Sequence, residues 1–110
     1  MKVFQLDDMI KGWFIGNFAP TVLSTNSFEV AVKKYKAGDY EPIHHHRKAT
    51  EITVIIDGQV KMNGSIYIAG SIIVIDPFQE TDFLALTDVT TTVIKYPSAN
   101  NDKYLRDQNY

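Results

Sequence analysis

The most informative part of the sequence, residues 38–58, reads GDYEPIHHHRKATEITVIIDG. Successive side chains of an extended chain point to opposite sides, so His44 and His46 share one side and His45 faces the other. Glu51 opens the strand-like segment that follows a short turn. If that segment pairs with the histidine strand, the carboxylate reaches the same point as the two imidazoles. Two neutral nitrogens and one carboxylate form the set of ligands used by non-haem iron, which manganese, nickel, cobalt or zinc also accept.

Composition excludes several classes of function. The chain has 110 residues, no cysteine and a formal net charge of -2, so it fits one domain, residues 1–110, without disulfides or a thiolate nucleophile. No apolar run approaches the roughly 20 residues that span a bilayer, and the dispersed lysines disfavour nucleic acid as a partner. The N-terminus shows no secretion signal. We therefore expect a cytoplasmic protein with no membrane and no nucleic-acid partner.

Short segments rich in Val, Ile, Thr, Phe and Tyr recur between turn-forming residues, which predicts an all-β, antiparallel barrel or sandwich. The Asn63-Gly64 dipeptide predicts a tight hairpin, and Asp57-Gly58 gives a second hairpin signal. The predicted strands are Lys2–Leu6, Ser27–Lys36, Thr50–Asp57, Gln59–Met62, Ile66–Ala69, Ser71–Ile75, Thr81–Leu86 and Val89–Tyr96.

Two of these strands are apolar on both faces, at Ile52–Ile56 and Ile72–Ile75. Both faces should therefore be covered, by the aromatic N-terminal segment, by a second subunit or by both, and a homodimer is expected. Aromatic residues at the density of Trp13, Phe14 and Phe18 favour such a seam over the lining of a ligand pocket.

The stretch at residues 38–58 resembles the first signature of the cupin superfamily at each fixed position, namely Gly38, His44, His46, Glu51 and Gly58. The resemblance implies an antiparallel double-stranded β-helix, or jelly-roll barrel, with a metal held near one open end. It places the core barrel at about residues 28–96, between an N-terminal aromatic segment, 1–20, and a polar tail, 98–110. The tail is expected to be loosely held, or packed by its own Tyr104 and Leu105.

The second cupin signature is incomplete in this chain. Aligned on Gly70 and Pro77, the position of the usual fourth ligand, a histidine, is occupied by a threonine. The fourth ligand is therefore missing or replaced, and three protein ligands with open positions still make a workable site. Water fills the gap, or the position is filled or lined by one of four residues, Gln79, Glu80, Thr81 and Asp82.

Two further patterns have alternative interpretations. The triple-histidine run is either the metal site or a solvated patch that binds metal adventitiously, and the match to the cupin signature favours the site. Lys33, Lys34 and Lys36 indicate a charged edge strand that resists sheet-to-sheet aggregation, with steering of an anionic ligand as the alternative.

Three functions follow from the resemblance, and the sequence leaves open whether the chain is an enzyme. The first is a metal-binding cupin that holds Fe, Mn, Ni or Zn at His44, His46 and Glu51 and binds or acts on a small polar organic molecule, as a dioxygenase or isomerase. The second is a non-catalytic ligand-binding or assembly cupin with a decayed metal site. The third is similar to metal-free epimerases and isomerases of nucleotide sugars, with His44 as base and Arg47 and Lys48 as nearby cations.

Overall fold

A computed structural model describes residues 1–106 of the chain. A short 3-10 turn at Leu6–Asp8 precedes eleven strands. No helix within this part of the chain has the length and apolar character needed to cross a bilayer. The strands are β1 Trp13–Gly16, β2 Leu23–Ser24, β3 Glu29–Tyr35, β4 Tyr40–His46, β5 Thr50–Asp57, β6 Gln59–Met62, β7 Ser65–Ile68, β8 Ile72–Ile75, β9 Thr81–Ala85, β10 Val89–Tyr96 and β11 Lys103–Leu105.

The strands form two sheets. The six-stranded sheet has the order β2-β1-β3-β10-β5-β8, and the five-stranded sheet has the order β11-β4-β9-β6-β7. All pairs are antiparallel except β1 with β2. The predicted all-β, antiparallel architecture is therefore confirmed.

The hairpin predicted at Asn63-Gly64 is present, because β6 and β7 pair from Met62 to Ser65 across this dipeptide. Asn63 and Gly64 have φ values of 49° and 82°, as a primed two-residue turn requires. The hairpin signal at Asp57-Gly58 was wrong. The chain passes there from β5 in one sheet to β6 in the other. Gly58 allows this passage because a Cβ atom would lie 2.2 Å from the carbonyl oxygen of Asp88.

The N-terminal end of the described chain differs from the prediction, whereas the tail is packed through Tyr104, one of the two expected alternatives. Lys2–Leu6 is not a strand. Its alternating pattern has another cause, since Phe4 and Leu6 line a groove with Val32, on the outer side of β3. The tail forms β11, which pairs with β4 through Tyr104 opposite His45. Residues 107–110 lie outside the described part of the chain.

The interior of the barrel has an apolar half and a polar half. The apolar half is a buried cluster that Tyr35, Tyr67 and Ile73 extend. The polar half contains His44 and His46 of β4, and this difference leaves room for a pocket at that end. The cluster comprises Ile55, Val60, Met62, Ile75, Phe83, Ala85 and Val89.

Candidate functional site

The structure brings four predicted site residues to one pocket. His44 and His46 on β4, Glu51 on β5 and Thr81 on β9 line a cavity of about 180 Å³ inside the barrel. A cavity of this size is below the range of drug-sized ligand sites, roughly 300–1,000 Å³, and suits a molecule of a few heavy atoms.

Glu51 reaches this pocket by a route that the sequence did not predict. The expectation that its strand pairs with the histidine strand is wrong, because β4 and β5 belong to different sheets. The turn after His46 carries the chain from one sheet to the other. Glu51 and the histidines therefore face each other across the barrel.

The turn between β4 and β5 is held by a residue of the tail. Asp102 is 4% exposed, and its carboxylate accepts hydrogen bonds from the backbone N–H groups of Arg47, Lys48 and Ala49 at 3.0–3.1 Å. Burial acts to raise the pKa of Asp102, but the three backbone donors outweigh it and hold the pKa below its usual range. An ionised carboxylate therefore fixes the spacing between His46 and Glu51.

The tautomer of His44 is set by its own strand. Its Nδ1 atom lies 2.8 Å from the carbonyl oxygen of Pro42. A carbonyl oxygen only accepts, so the neutral ring carries its proton on Nδ1 and leaves the Nε2 lone pair available. Metal-binding histidines are commonly oriented by such a second hydrogen bond. The rings of His44 and His46 lie edge to face, with centroids 5.8 Å apart.

His46 has a buried nitrogen without a partner. It is 4% exposed, and its Nε2 atom makes no hydrogen bond within the part of the chain that the structure describes. Burial lowers the pKa of His46 to about 4, so the imidazole is neutral at physiological pH. An unsatisfied buried nitrogen costs about 1–3 kcal/mol, which a metal ion or a ligand atom would offset.

Glu51 lies in a contrasting electrostatic setting. Burial raises its pKa, and the nearby Lys95 opposes that rise. The two residues are directly opposite each other on neighbouring strands, β5 and β10. Burial and the ammonium group of Lys95 therefore act on the Glu51 carboxyl group in opposite directions.

The donors fit a divalent metal by their chemistry, but they are not gathered around one point. Among residues 1–106, no three His, Cys, Asp or Glu side chains form a group that could hold a metal ion. A three-donor site at His44, His46 and Glu51 therefore needs these side chains to move closer together.

His45 faces away from the pocket, as the alternation predicts, but it is not solvated. It is 7% exposed and stacks on Tyr104 and Phe78, with ring centroids 5.4 and 6.0 Å away. Its Nε2 atom accepts a hydrogen bond from Nε of Arg47 at 3.2 Å. His45 joins the tail strand to the barrel.

The candidates for a fourth ligand separate into two groups. Thr81 lines the pocket, and its hydroxyl donates to the carbonyl oxygen of Asp82 at 2.8 Å. The other three candidates do not line this pocket. The Gln79 side chain accepts from the backbone of Asp76, the Glu80 carboxylate pairs with Arg106 at 3.1 Å, and the Asp82 carboxylate accepts from the backbone of Asn63.

Four lysines, Lys11, Lys33, Lys95 and Lys103, line the same pocket beside two carboxylates, Glu41 and Glu51. Lys33 was predicted to lie on a charged edge strand, and that interpretation was wrong. Its strand, β3, is inside the sheet, between β1 and β10. The edge position is occupied by the N-terminal segment, which adds β1 and β2.

Trp13 also lines the pocket, whereas the sequence interpretation favoured a seam between subunits. Its ring lies 5.2 Å from the Nζ atom of Lys33 and 4.9 Å from that of Lys95, measured to the ring centroid. Ammonium groups at these distances are attracted to the indole face. The N-terminal segment thus supplies an aromatic wall for the site.

Sequence reasoning missed Lys33, Lys95 and Thr91 as pocket residues. The available signal was the period of two along β3 and β10, which puts Lys33 and Lys95 on the inner face with Ala31 and Val93. The apolar residues that share the other face of β3 gave the stronger pattern. That pattern suggested that the apolar face of β3 is the buried one. In a barrel with an internal site, however, the polar face of a strand can point inwards.

Comparisons with known proteins identify the fold. No protein-family model matches the chain, and no curated protein matches it significantly. A double-stranded β-helix protein from Klebsiella pneumoniae superposes with a TM-score of 0.72 at 19% identity, over 97% of this chain and 93% of that one. A cupin-2 domain protein from Shewanella frigidimarina gives a TM-score of 0.58 at 17% identity, over 66% and 72%. The chain has the cupin fold.

A third similar structure is that of an enzyme. The DMSP lyase DddQ from Ruegeria pomeroyi superposes with a TM-score of 0.72 at 18% identity. The superposition covers 88% of this chain but 52% of the lyase. Identities this low establish the shared fold, and the chemistry of this chain has to be argued from its own residues.

Proposed function

We propose that this chain is a small metal-binding cupin that takes up a small polar organic molecule in its barrel pocket. The main support for this proposal is that the Nε2 atom of the buried His46 has no hydrogen-bond partner among the described residues. His44 lines the same pocket, and its hydrogen bond through Nδ1 leaves the Nε2 lone pair available. Neutral imidazoles of this kind are the preferred nitrogen donors of divalent transition metals.

His44, His46 and Glu51 would hold the metal, with Glu51 supplying the negative charge. When bound, a divalent metal supplies Lewis-acid chemistry that polarises an oxygen atom of the organic molecule. The protein itself orients His44 through Pro42 and keeps His46 neutral by burial. Which metal binds, Fe, Mn, Ni or Zn, depends on supply as well as on these ligands.

The test is the metal content of protein purified without an affinity tag, measured by plasma mass spectrometry. We expect near-stoichiometric metal in the native chain and its loss in His44→Ala, His46→Ala and Glu51→Gln. His45→Gln is the matched control, because it removes a histidine of the same strand that faces away from the pocket. A native protein that holds no metal, and takes up none at micromolar concentration, contradicts the proposal.

One observation favours a second function. Since no three acidic or histidine side chains form a metal-sized group among the described residues, a metal-free site is the alternative. In it, His44 acts as a general base through Nε2, with Glu51, in the same pocket, as its acidic partner. Turnover that survives His46→Ala in metal-free protein but not His44→Ala would favour this function.

We also propose that the chain forms a homodimer. Ile56, Ile72 and Val74 lie on the outer face of β5 and β8 and are 54%, 68% and 54% exposed. The N-terminal segment covers part of the same sheet at Val32, at a distance from these strands. A second copy of the chain covers the rest, because a monomer rarely exposes a contiguous apolar face.

A further inference from the structure

We propose that the pocket binds a small organic carboxylate, held by the ammonium groups of Lys33 and Lys95 beside Trp13 and by the hydroxyl of Thr91. This inference deepens the proposed function, since it names the class of molecule for the same pocket. It rests on that function only for the location of the site. The lysine subsite stands whether or not a metal is bound.

The charge of the pocket lining favours an anion. The described lining has four lysines and two carboxylates. Its two histidines are neutral or positive and cannot offset the lysines. Glu41 is paired with Lys103 at 3.9 Å, and Glu51 is directly opposite Lys95 on the neighbouring strand. A divalent metal at the histidines would increase the positive charge further. An anionic ligand is the partner that balances this lining.

Lys33 is the cation with the clearest need for a ligand. Among the described residues, no carboxylate lies within salt-bridge distance of its ammonium group, and burial lowers its pKa. The ammonium group of Lys95 lies near the same ring of Trp13, and its positive charge also lowers the pKa of Lys33. Lys95 itself is partly compensated by Glu29, at 3.7 Å. Two ammonium groups near one aromatic ring repel each other. An anion bound between them would offset that repulsion.

Thr91 provides an independent observation. It is 1% exposed and lines the pocket, and its hydroxyl has no hydrogen-bond partner within residues 1–106. Thr91 is directly opposite Lys33 in the pairing of β10 with β3. An unsatisfied buried hydroxyl and an ammonium group without a carboxylate partner among the described residues thus lie on directly paired residues, and we expect both to donate to one ligand.

The size and walls of the pocket favour a carboxylate over a phosphate. The cavity of about 180 Å³ is small, and Trp13, Phe83 and Val93 give it apolar surface for a short carbon skeleton. Among the described residues, neither an arginine side chain nor a helix N-terminus contributes to its lining, although these are the usual planar or multiple-donor elements of phosphate sites.

The experiment titrates malonate into the full chain after dialysis against a chelator, followed by isothermal calorimetry. Malonamide serves as the neutral analogue of the same shape, and inorganic phosphate as the competing anion. We expect malonate to bind, malonamide not to bind, and Lys33→Gln to weaken malonate by at least about tenfold. Thr91→Val should weaken it by about threefold or more without unfolding the chain, because the shape of the side chain is kept.

Two control variants isolate the charge in the pocket. Lys61→Gln removes the same charge from an exposed position on β6 and should leave the affinity unchanged. Lys33→Arg keeps the charge and should retain most of the binding. If Lys33→Gln does not fold, Thr91→Val and Lys33→Arg still test the subsite.

The outcomes separate this inference from the metal proposal. Equal binding of malonamide, or malonate binding unaffected by Lys33→Gln and Thr91→Val, would overturn it. Tighter binding of phosphate than of malonate would overturn the assignment to carboxylates. Malonate binding that requires added metal would overturn the lysine subsite while supporting the metal site. Normal malonate binding by a chain that never takes up metal would support the subsite and contradict the metal proposal.

Discussion

The carboxylate of Asp102 accepts a hydrogen bond from the backbone N–H of Ala49 at 3.0 Å, although the two residues are 53 positions apart. The same carboxylate takes the N–H groups of Arg47 and Lys48. It therefore closes the turn that separates the histidines from Glu51. Asp102 thus sets the geometry of a site whose proposed metal ligands, His44, His46 and Glu51, lie on other segments.

Replacing Asp102 by Asn should lower the free energy of unfolding by about 1–3 kcal/mol, because a charged acceptor of three backbone donors is lost. Urea denaturation of the variant against Asp57→Asn, an exposed carboxylate, measures the effect. The folded-state pKa of Asp102 is depressed. The stabilisation is therefore complete above the unfolded value, about 3.9, and is lost as the pH falls through the folded value. Equal stability of Asp102→Asn and the native chain at pH 7 would refute this role.

His46 should remain neutral far below its ordinary pKa in metal-free protein. Its pKa of about 4 means that the unfolded state binds more protons between about pH 6.5 and pH 4. As the pH is lowered through that window, the free energy of unfolding should decrease, by at most about 3 kcal/mol. Proton NMR titration of the ring, with denaturation of His46→Gln as the control, measures both effects. A ring that titrates near pH 6.5 would show that burial does not govern this histidine.

Asp82 should matter for the hairpin and not for metal binding. Its carboxylate accepts from the backbone N–H of Asn63 at 2.7 Å, at the β6–β7 turn. Asp82→Ala should cost about 1 kcal/mol of stability and leave the metal content of the native protein unchanged. Thermal unfolding and elemental analysis of one preparation give both numbers. Loss of metal on this substitution would make Asp82 a fourth ligand after all.

The homodimer should depend on the outer face of β5 and β8. Ile72→Lys places a charge at a residue that is 68% exposed in the single chain, and should yield a monomer. Leu23→Lys, at a residue of β2 that is 52% exposed, is the control and should remain dimeric. Sedimentation velocity distinguishes the two masses. A native chain that sediments as a monomer at micromolar concentration contradicts the dimer.

Local patterns allowed much of the fold to be predicted. Segments rich in β-branched residues, together with turn chemistry, located β5, β10 and the Asn63-Gly64 hairpin, because these features depend on neighbouring residues. They failed at Gly58, where the chain changes sheets. The Asp57-Gly58 dipeptide is typical of a hairpin turn. Which strand pairs with β5 is decided instead by the packing of the two sheets.

The candidate site was predicted in part for the same reason. His44 and His46 follow from alternation on one strand, whereas Lys33, Lys95 and Trp13 come from strands distant in sequence. Their convergence depends on the register of β1, β3 and β10. No local sequence pattern predicts the hydrogen bonds that the Asp102 carboxylate accepts, because their donors lie more than fifty positions away.

The localisation of the protein stays a prediction, as does the division of the chain into a core barrel at residues 28–96 with flanking segments. Both flanks contribute strands to the two sheets, β1 on one side and β11 on the other. The walls of the site therefore depend on these segments as well as on the core barrel.

The most direct test of the metal site is anomalous diffraction from crystals grown with Zn²⁺, measured above and below the zinc absorption edge. The account predicts an anomalous peak inside the barrel about 2.0–2.1 Å from Nε2 of His44 and from Nε2 of His46, with a Glu51 oxygen as the third ligand. Zinc found only at surface positions, with no peak in the pocket, would contradict it.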